Sequence, residues 1–289
     1  MLKALLKTMR PRQWTKNIFV FAALVFDKQL FILDSFLQTL DAFALFCLVS
    51  SAVYIFNDLA DVEADRKHPE KKKRPIASGK LPVNIAWTAG IALAFAALAF
   101  GYLLSPKFSA VVAGYLVLNI AYSRWFKHVP ILDVLIIAAG FVLRVHAGVT
   151  VIAVERFSPW LYVVMTLLSL FLGFGKRRAE LSLLAHGAGS HRKVLDGYTI
   201  PLLDQYIMIV SGTTIVAYSL YTFTAPNMPE NHSMMLTIPF AVYSIFRYLY
   251  LIEIDQAGGS PEEILLTDRP FQIAMALWAL TVLVVFYFS

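Results

Sequence analysis

Cysteine is almost missing from this sequence. Cys47 is the only one in 289 residues, which excludes an intrachain disulfide and any metal site built on several thiolates. Charge is scarce too. Asp, Glu, Lys and Arg make up 15% of the chain, against about 25% in a soluble globular domain, so an ordinary water-facing surface is excluded. The period-two alternation of short segments that marks a lipid-facing barrel is absent. No small-residue cleavage site follows the first apolar run, so the basic N-terminal stretch (Lys3, Lys7, Arg10, Arg12) reads as retained rather than as a secretory leader.

What the chain has is apolar length. Hydrophobic residues make up 58% of it, and the mean hydropathy is +0.66. Apolar stretches recur at about 20 residues, the length that crosses a hydrocarbon core. Nine segments qualify: roughly 16–33, 38–60, 82–104, 109–126, 131–151, 160–178, 200–221, 234–253 and 270–288. In lipid every backbone polar group must be satisfied within the segment, so these are expected to be helices. The expectation is an all-α, polytopic membrane protein formed as one domain over 1–289. The first segment carries Asp27 and Lys28 and the fifth carries Arg144, which weakens both as simple spans.

The basic residues fix an expected orientation. Twenty of the 25 Lys and Arg residues fall in the N-terminal stretch and in segments 61–80, 123–130, 175–193 and 253–270. Alternate connections hold only Lys28, Lys107 and Arg156. The positive-inside rule places the N-terminus and those four loops in the cytoplasm, at the inner membrane. The net charge of +6 is then explained by topology and by anionic lipid headgroups, and no nucleic acid is needed. A homo-oligomer is left open by the sequence. The two long cytoplasmic loops are chemically rich, so function is expected on that face.

The strongest local pattern is Asn57-Asp58-Leu59-Ala60-Asp61-Val62-Glu63-Ala64-Asp65, at the cytoplasmic end of the second segment. Asp58, Asp61 and Asp65 stand at i, i+3 and i+7, which on a helix is one face. Carboxylates so close repel one another unless a cation joins them. Hard oxygen ligands suit Mg²⁺ held partly through substrate phosphates. The alternative is a solvated helix end. Against it stands the basic loop that follows immediately: Arg66, Lys67, His68, Lys71, Lys72, Lys73 and Arg74, then Pro75-Ile76-Ala77-Ser78-Gly79. A metal-diphosphate site needs both, since the metal bridges phosphate oxygens while Lys and Arg neutralise the rest.

These residues resemble the UbiA superfamily of intramembrane prenyltransferases. Its first aspartate-rich motif, Asn-Asp-x-x-Asp-x-x-x-Asp, is matched by Asn57, Asp58, Asp61 and Asp65, and the Arg74-to-Gly79 turn is similar to the one that follows it. The resemblance covers essentially the whole chain and implies a bundle of nine transmembrane helices with a cytoplasm-facing polar cavity. One branch fits best, the decaprenyl-phosphate phosphoribosyltransferase group. Arg10-Pro11-Arg12-Gln13-Trp14-Thr15-Lys16-Asn17, Gly175-Lys176-Arg177-Arg178-Ala179-Glu180, and Tyr122-Ser123-Arg124-Trp125-Phe126-Lys127 with Asp133 look like that group. Members that take a prenyl diphosphate usually carry a second aspartate-rich motif after the sixth span. Here that loop reads Lys176-Arg177-Arg178-Ala179-Glu180, with His186, His191, Arg192, Lys193 and Asp196 beyond it.

The resemblance implies a Mg²⁺-dependent transfer of ribose 5-phosphate from phosphoribosyl pyrophosphate to a polyprenyl phosphate, releasing pyrophosphate, as a step toward arabinose donors for a cell envelope. Asp58, Asp61 and Asp65 are the expected metal set, not all of them in direct contact, and they count with Lys176 and Arg177 as the reacting centre. Asn57, Lys73, Arg74, Arg178, Glu180, Tyr122, Lys127, Asp133, Lys16 and Asn17 are the expected substrate contacts. Trp14 has a plain reading as an interfacial anchor. Asp133 and Arg144 share a helix face too far apart to pair, and Arg144 and Arg247 serve either a cavity or a structural partner. His186 and His191 lack a third ligand for zinc. Glu253, Asp255, Glu262, Glu263 and Asp268 read as a solvated connection. Two other readings remain: a prenyltransferase using a prenyl diphosphate, and a non-catalytic lipid or solute transporter.

Overall fold

The protein is described from a computed structural model that covers residues 1–154, 158–185, 193–226, 228–254, 264 and 266–288. The described elements are helical. They are α1 (Leu2–Met9), a 3₁₀ segment (Pro11–Phe21), α2 (Ala22–Phe26), α3 (Leu33–Ala60), α4 (Val62–Lys67), α5 (Val83–Leu104), α6 (Pro106–Arg124), α7 (Leu132–Val149), α8 (Pro159–Ala185), α9 (Ile200–Thr224), α10 (Ile238–Glu253) and α11 (Arg269–Phe288).

Seven of these helices are long and apolar enough to cross a membrane: α3, α5, α7, α8, α9, α10 with the 3₁₀ turn that leads into it, and α11. This is a multi-pass membrane protein. Two of the nine expected segments fall outside that set. α6 runs unbroken for 19 residues, but Lys107, Asn119, Ser123 and Arg124 dilute its apolar length. The segment expected over 16–33 is not one helix. It continues the 3₁₀ winding from Pro11, passes through five residues of α2, and turns at Asp27 and Lys28, where Lys28 has φ 57°. A 3₁₀ run of 11 residues is long, because the i→i+3 bonds are poorer than α bonds. Side-chain anchoring explains it: Asn17 and Val20 are fully buried along this run. The Val20 carbonyl rests on Gly148 of α7, where a Cβ would come within 1.9 Å of its oxygen.

The chain forms two compact units, Met1–Trp125 with Leu143–Glu155, and Phe126–Val142 with Arg156–Ser289. In the first, α3 is the central helix: from Phe46 to Leu59 its buried residues lie on every side, while Leu33, Phe36, Leu37 and Leu40 near its start are exposed. On α5, Trp87, Ile91 and Phe95 form an exposed stripe at i, i+4, i+8 that suits acyl chains. At the end of α3 that carries the aspartates, Ile55 and Leu59 join Met9, Ile76, Leu81 and Ala86 in one apolar cluster. That cluster ties α1, the 75–81 turn and α5 to the same point. The second unit is built around Val134, Phe171, Phe174, Leu195, Tyr198, Leu203 and Tyr248.

Candidate active site

In the first unit, α3 ends at Ala60, and Asp61 stands between α3 and α4 with φ −96° and ψ 6°. The break changes the expected geometry. Asp58 and Asp65 are buried, at 3% and 2% exposure, while Asp61 is half-buried at the joint. Two of the three carboxylates therefore turn inward together. Asp58 Oδ1 and Asp65 Oδ2 both meet Arg74 Nη1, at 3.1 Å and 2.7 Å. Arg10 Nη2 donates to the same Asp58 oxygen at 2.5 Å. Asn57 accepts a hydrogen bond from Ser123 of α6.

Arg74 is aimed by the turn that carries it. A short 3₁₀ turn, Lys71–Lys73, hands over to extended backbone at Arg74. Pro75 is buried, and Ile76 and Leu81 plug the apolar cluster. The turn closes through Gly79 at φ 76°, a left-handed conformation that glycine adopts without steric cost. Arg10 is aimed differently. It is a non-glycine residue at φ 54°, ψ 61°, joining α1 to the 3₁₀ segment. Its guanidinium lies 4.9 Å from the centre of the Tyr54 ring.

Two to three turns back along α3 is a second polar knot. Asn17 Nδ2 donates to Cys47 Sγ at 3.2 Å and to Ser50 Oγ at 3.1 Å. Its Oδ1 accepts from Arg144 Nε at 2.9 Å, and Arg144 Nη2 donates to Tyr115 Oη at 2.9 Å. The Arg144 guanidinium also lies over the Tyr115 and Phe46 rings. Asn17, expected to touch substrate, is thus fully buried and committed to holding the 3₁₀ segment against α3 and α7. Trp14 likewise departs from the anchor role, since its Nε1 donates to Ser51 at 3.0 Å.

The second unit has its own cluster. Asp133, fully buried at the start of α7, accepts from Arg177 Nε at 2.6 Å and from Tyr198 Oη at 2.8 Å. Arg177 also donates to Glu180 at 2.7 Å. The Tyr198 oxygen receives the Ile131 backbone N–H. Burial raises the Tyr198 phenol well above its ordinary value; the Ile131 amide opposes that rise and Asp133 adds to it. Tyr198 is therefore a neutral donor near pH 7.

Arg178, one residue on and so about 100° around the helix, points elsewhere. It bonds Asp204 of α9 and Glu253 of α10. Its expected role as a substrate contact gives way to tying three helices together. At its described residues the expected solvated connection holds for Glu253, 64% exposed although paired with Arg178, and is corrected for Asp268, 12% exposed and paired with Arg247. Hydrogen bonding from Arg247 holds the Asp268 carboxyl below its usual range. Lys73 is exposed and paired with Glu70. Lys16, Tyr122, Lys127 and Lys176 are half-buried. His186, His191, Arg192, Asp255, Glu262 and Glu263 lie outside the described residues.

Sequence reasoning thus brought Asp58, Asp65 and Arg74 together and set Glu180 beside the basic run 176–178, but it did not pair Asp133 with Arg177. It missed Arg10, Ser123 and Tyr198 as their partners. Arg10 stands in a motif already singled out; for Tyr198 no spacing gave a signal.

Among the described residues no three His, Cys, Asp or Glu side chains converge as a ready cage for a metal ion. The donor chemistry nevertheless fits magnesium, which takes one or two carboxylates and completes its shell with water and phosphate oxygens. Asp58 and Asp65 are two buried carboxylates that share the Arg74 guanidinium, with Arg10 on Asp58 as well.

Comparison with known proteins bears on this arrangement. The model of the UbiA prenyltransferase family matches residues 18–262. The decaprenyl-phosphate phosphoribosyltransferase of Mycolicibacterium smegmatis is 36% identical over 308 residues, covering 100% of this chain and 94% of its own. That of Mycobacterium tuberculosis is 34% identical over 282 residues, covering 96% and 92%. Among solved structures, a UbiA homolog from Archaeoglobus fulgidus bound to DMAPP and Mg²⁺ superposes with a TM-score of 0.74 at 20% identity, covering 99% of both chains.

Proposed function

This chain belongs to the UbiA prenyltransferase family, and we propose that it transfers the 5-phosphoribosyl group from phosphoribosyl pyrophosphate to decaprenyl phosphate, releasing pyrophosphate. The substrates follow from likeness along the whole chain to relatives named for that reaction. The observation that carries the chemistry is the buried pair Asp58 and Asp65 with two guanidiniums upon it. Carboxylates beside arginines at one helix end suit a cation and a diphosphate together.

In the reaction, the bond between ribose C1 and the diphosphate oxygen breaks. A phosphate oxygen of the lipid acceptor forms the new bond to C1 from the opposite side. The electron pair of the broken bond leaves with pyrophosphate. The acceptor oxygen is already anionic near neutral pH, so no strong base is required. Positioning and electrostatics carry the rate. Magnesium, held by Asp58 and Asp65 with Asp61 at the helix joint, would supply charge neutralisation at the leaving diphosphate. Arg74 contacts the donor diphosphate, and Lys73 lies beside it.

Further phosphate contacts are assigned to the basic segment of α8. Arg177, oriented by Asp133 and Glu180, and Lys176 meet an anionic group, with Tyr198 holding Asp133 from behind. Lys16, Asn57, Tyr122 and Lys127 border the substrates. The N-terminus and the site face the cytoplasm across the inner membrane, and the whole chain acts as one domain. The basic segment Lys176–Arg178, where a prenyl-diphosphate enzyme would carry aspartates, favours this donor over a prenyl diphosphate. The test is transfer of ribose label from the donor into the lipid phase by purified protein. The proposal expects transfer that EDTA abolishes and Asp58→Asn abolishes. Turnover of a prenyl diphosphate in place of it would overturn the proposal.

A further inference from the structure

Asp58 Oδ1 receives two guanidiniums, and these two positive charges together balance the carboxylates of Asp58 and Asp65. Arg74 is the one the local fold dictates: it lies within the same stretch of chain as the aspartates and spans Asp58 and Asp65 from a turn locked into the core. Arg10 is an addition from elsewhere, 48 residues away in sequence, and it makes the shorter contact of the two.

Two features set Arg10 apart from Arg74; exposure does not, at 33% and 29%. Its backbone sits in the left-handed region at φ 54°, a conformation that costs a non-glycine residue of order 1 kcal/mol or more and persists where surroundings impose it. Its guanidinium, while bonded to Asp58, also lies 4.9 Å from the centre of the Tyr54 ring, so a small movement off the carboxylate toward the ring retains a cation–π contact.

From this we infer that Arg10 is the resident counter-cation of the aspartate site: it competes with the divalent ion for Asp58 and is released when the ion binds. The inference rests on the proposed metal role of Asp58 and deepens it. With Arg74 alone, the two buried carboxylates would keep an unbalanced negative charge, which is costly, so Arg10 balances Asp58 while the site is empty. Mg²⁺ then meets a formed site, at the cost of displacing a charge-assisted hydrogen bond. Once released, the guanidinium stands at the rim, free to meet an anionic ligand. Metal and anion binding become coupled through one side chain, and free metal alone binds weakly.

The test measures metal binding rather than turnover. Mn²⁺ binding to full-length protein in detergent is followed by electron paramagnetic resonance, without donor, for wild type, Arg10→Gln and Asp58→Asn. Arg10→Gln is expected to bind Mn²⁺ at least about tenfold tighter than wild type, since a hydrogen bond between charged groups is worth roughly that factor or more. Asp58→Asn is expected to bind far more weakly. If Arg10→Gln matches wild type or binds less tightly while Asp58→Asn loses binding, the competition is overturned and the metal role of Asp58 stands. If Asp58→Asn binds as wild type does, the metal role itself fails, and the inference with it. The wild-type protein supplies a readout that does not depend on the folding of Arg10→Gln. Modification of Arg10 by phenylglyoxal, quantified by mass spectrometry, should rise severalfold on adding Mg²⁺. Labelling that is unchanged or reduced overturns the inference.

Discussion

Replacing Asp133 by alanine tests whether the second unit's cluster is a designed charge balance. Asp133 is fully buried and Arg177 is 2% exposed, with 2.6 Å between them. Removing one partner of such a pair leaves a buried charge and costs about 3–5 kcal/mol. Glu180 remains bonded to Arg177, which places the loss at the lower end of that range. The Tyr198 hydroxyl loses its acceptor at the same time. A fall in melting temperature on the order of 10 °C follows for a chain of this size. The assay is thermal unfolding in detergent, run on Asp133→Ala, Arg177→Met and the double variant Asp133→Leu with Arg177→Met. Replacing both members of a buried pair by apolar groups is often neutral, so the double variant should recover most of the loss. It should nevertheless transfer no phosphoribosyl group, because Arg177 is proposed to meet an anionic group of the substrate. An Asp133→Ala protein as stable as wild type, or a double variant no better than the single ones, would refute the reasoning.

Other perturbations give equally definite outcomes. Arg74→Gln removes the cation shared by Asp58 and Asp65, and should lower transfer by roughly 10- to 100-fold with most of the change in the donor's KM; donor titration reads it. Gly148→Ala forces a Cβ to within 1.9 Å of the Val20 carbonyl oxygen, so stability should fall by about 1–3 kcal/mol or more, measured by thermal unfolding. Asp268 has its folded-state value lowered from 3.8, chiefly by Arg247. Its stabilisation is therefore present above that ordinary value and is lost as pH falls through the lower one. Asp268→Asn should be less stable than wild type at pH 7, with the gap closing in strong acid. A gap that is unchanged at low pH would contradict the assignment.

The membrane character and most of the helices were legible because apolar length is a direct requirement of the bilayer. The first segment was misread for a reason of the same kind. Hydropathy registers Ile18 to Phe26 as apolar, but it does not register that Asn17 is drawn to Cys47 and Ser50 or that Val20 abuts Gly148. Those are contacts across more than 25 residues, and they hold the run in a 3₁₀ winding. At the site, i+3 and i+7 spacing brought out the aspartates, yet it assumed a continuous helix. The break at Asp61 decides which of the three turn inward. Likewise the 100° step between Arg177 and Arg178 required that they diverge, but which one faces Asp133 depends on how α7 and α8 lie. Tyr198 joins that cluster through the chain's path after α8, which no local pattern encodes.

The central claim is tested most directly with a donor labelled twice, in a ribose carbon and in the β-phosphorus of phosphoribosyl pyrophosphate, given to purified protein with Mg²⁺ and decaprenyl phosphate. The account predicts ribose label in the lipid phase and an equal amount of phosphorus label in aqueous pyrophosphate, both abolished by Asp58→Asn. Ribose label that stays in water while the same folded protein turns over a prenyl diphosphate would contradict it.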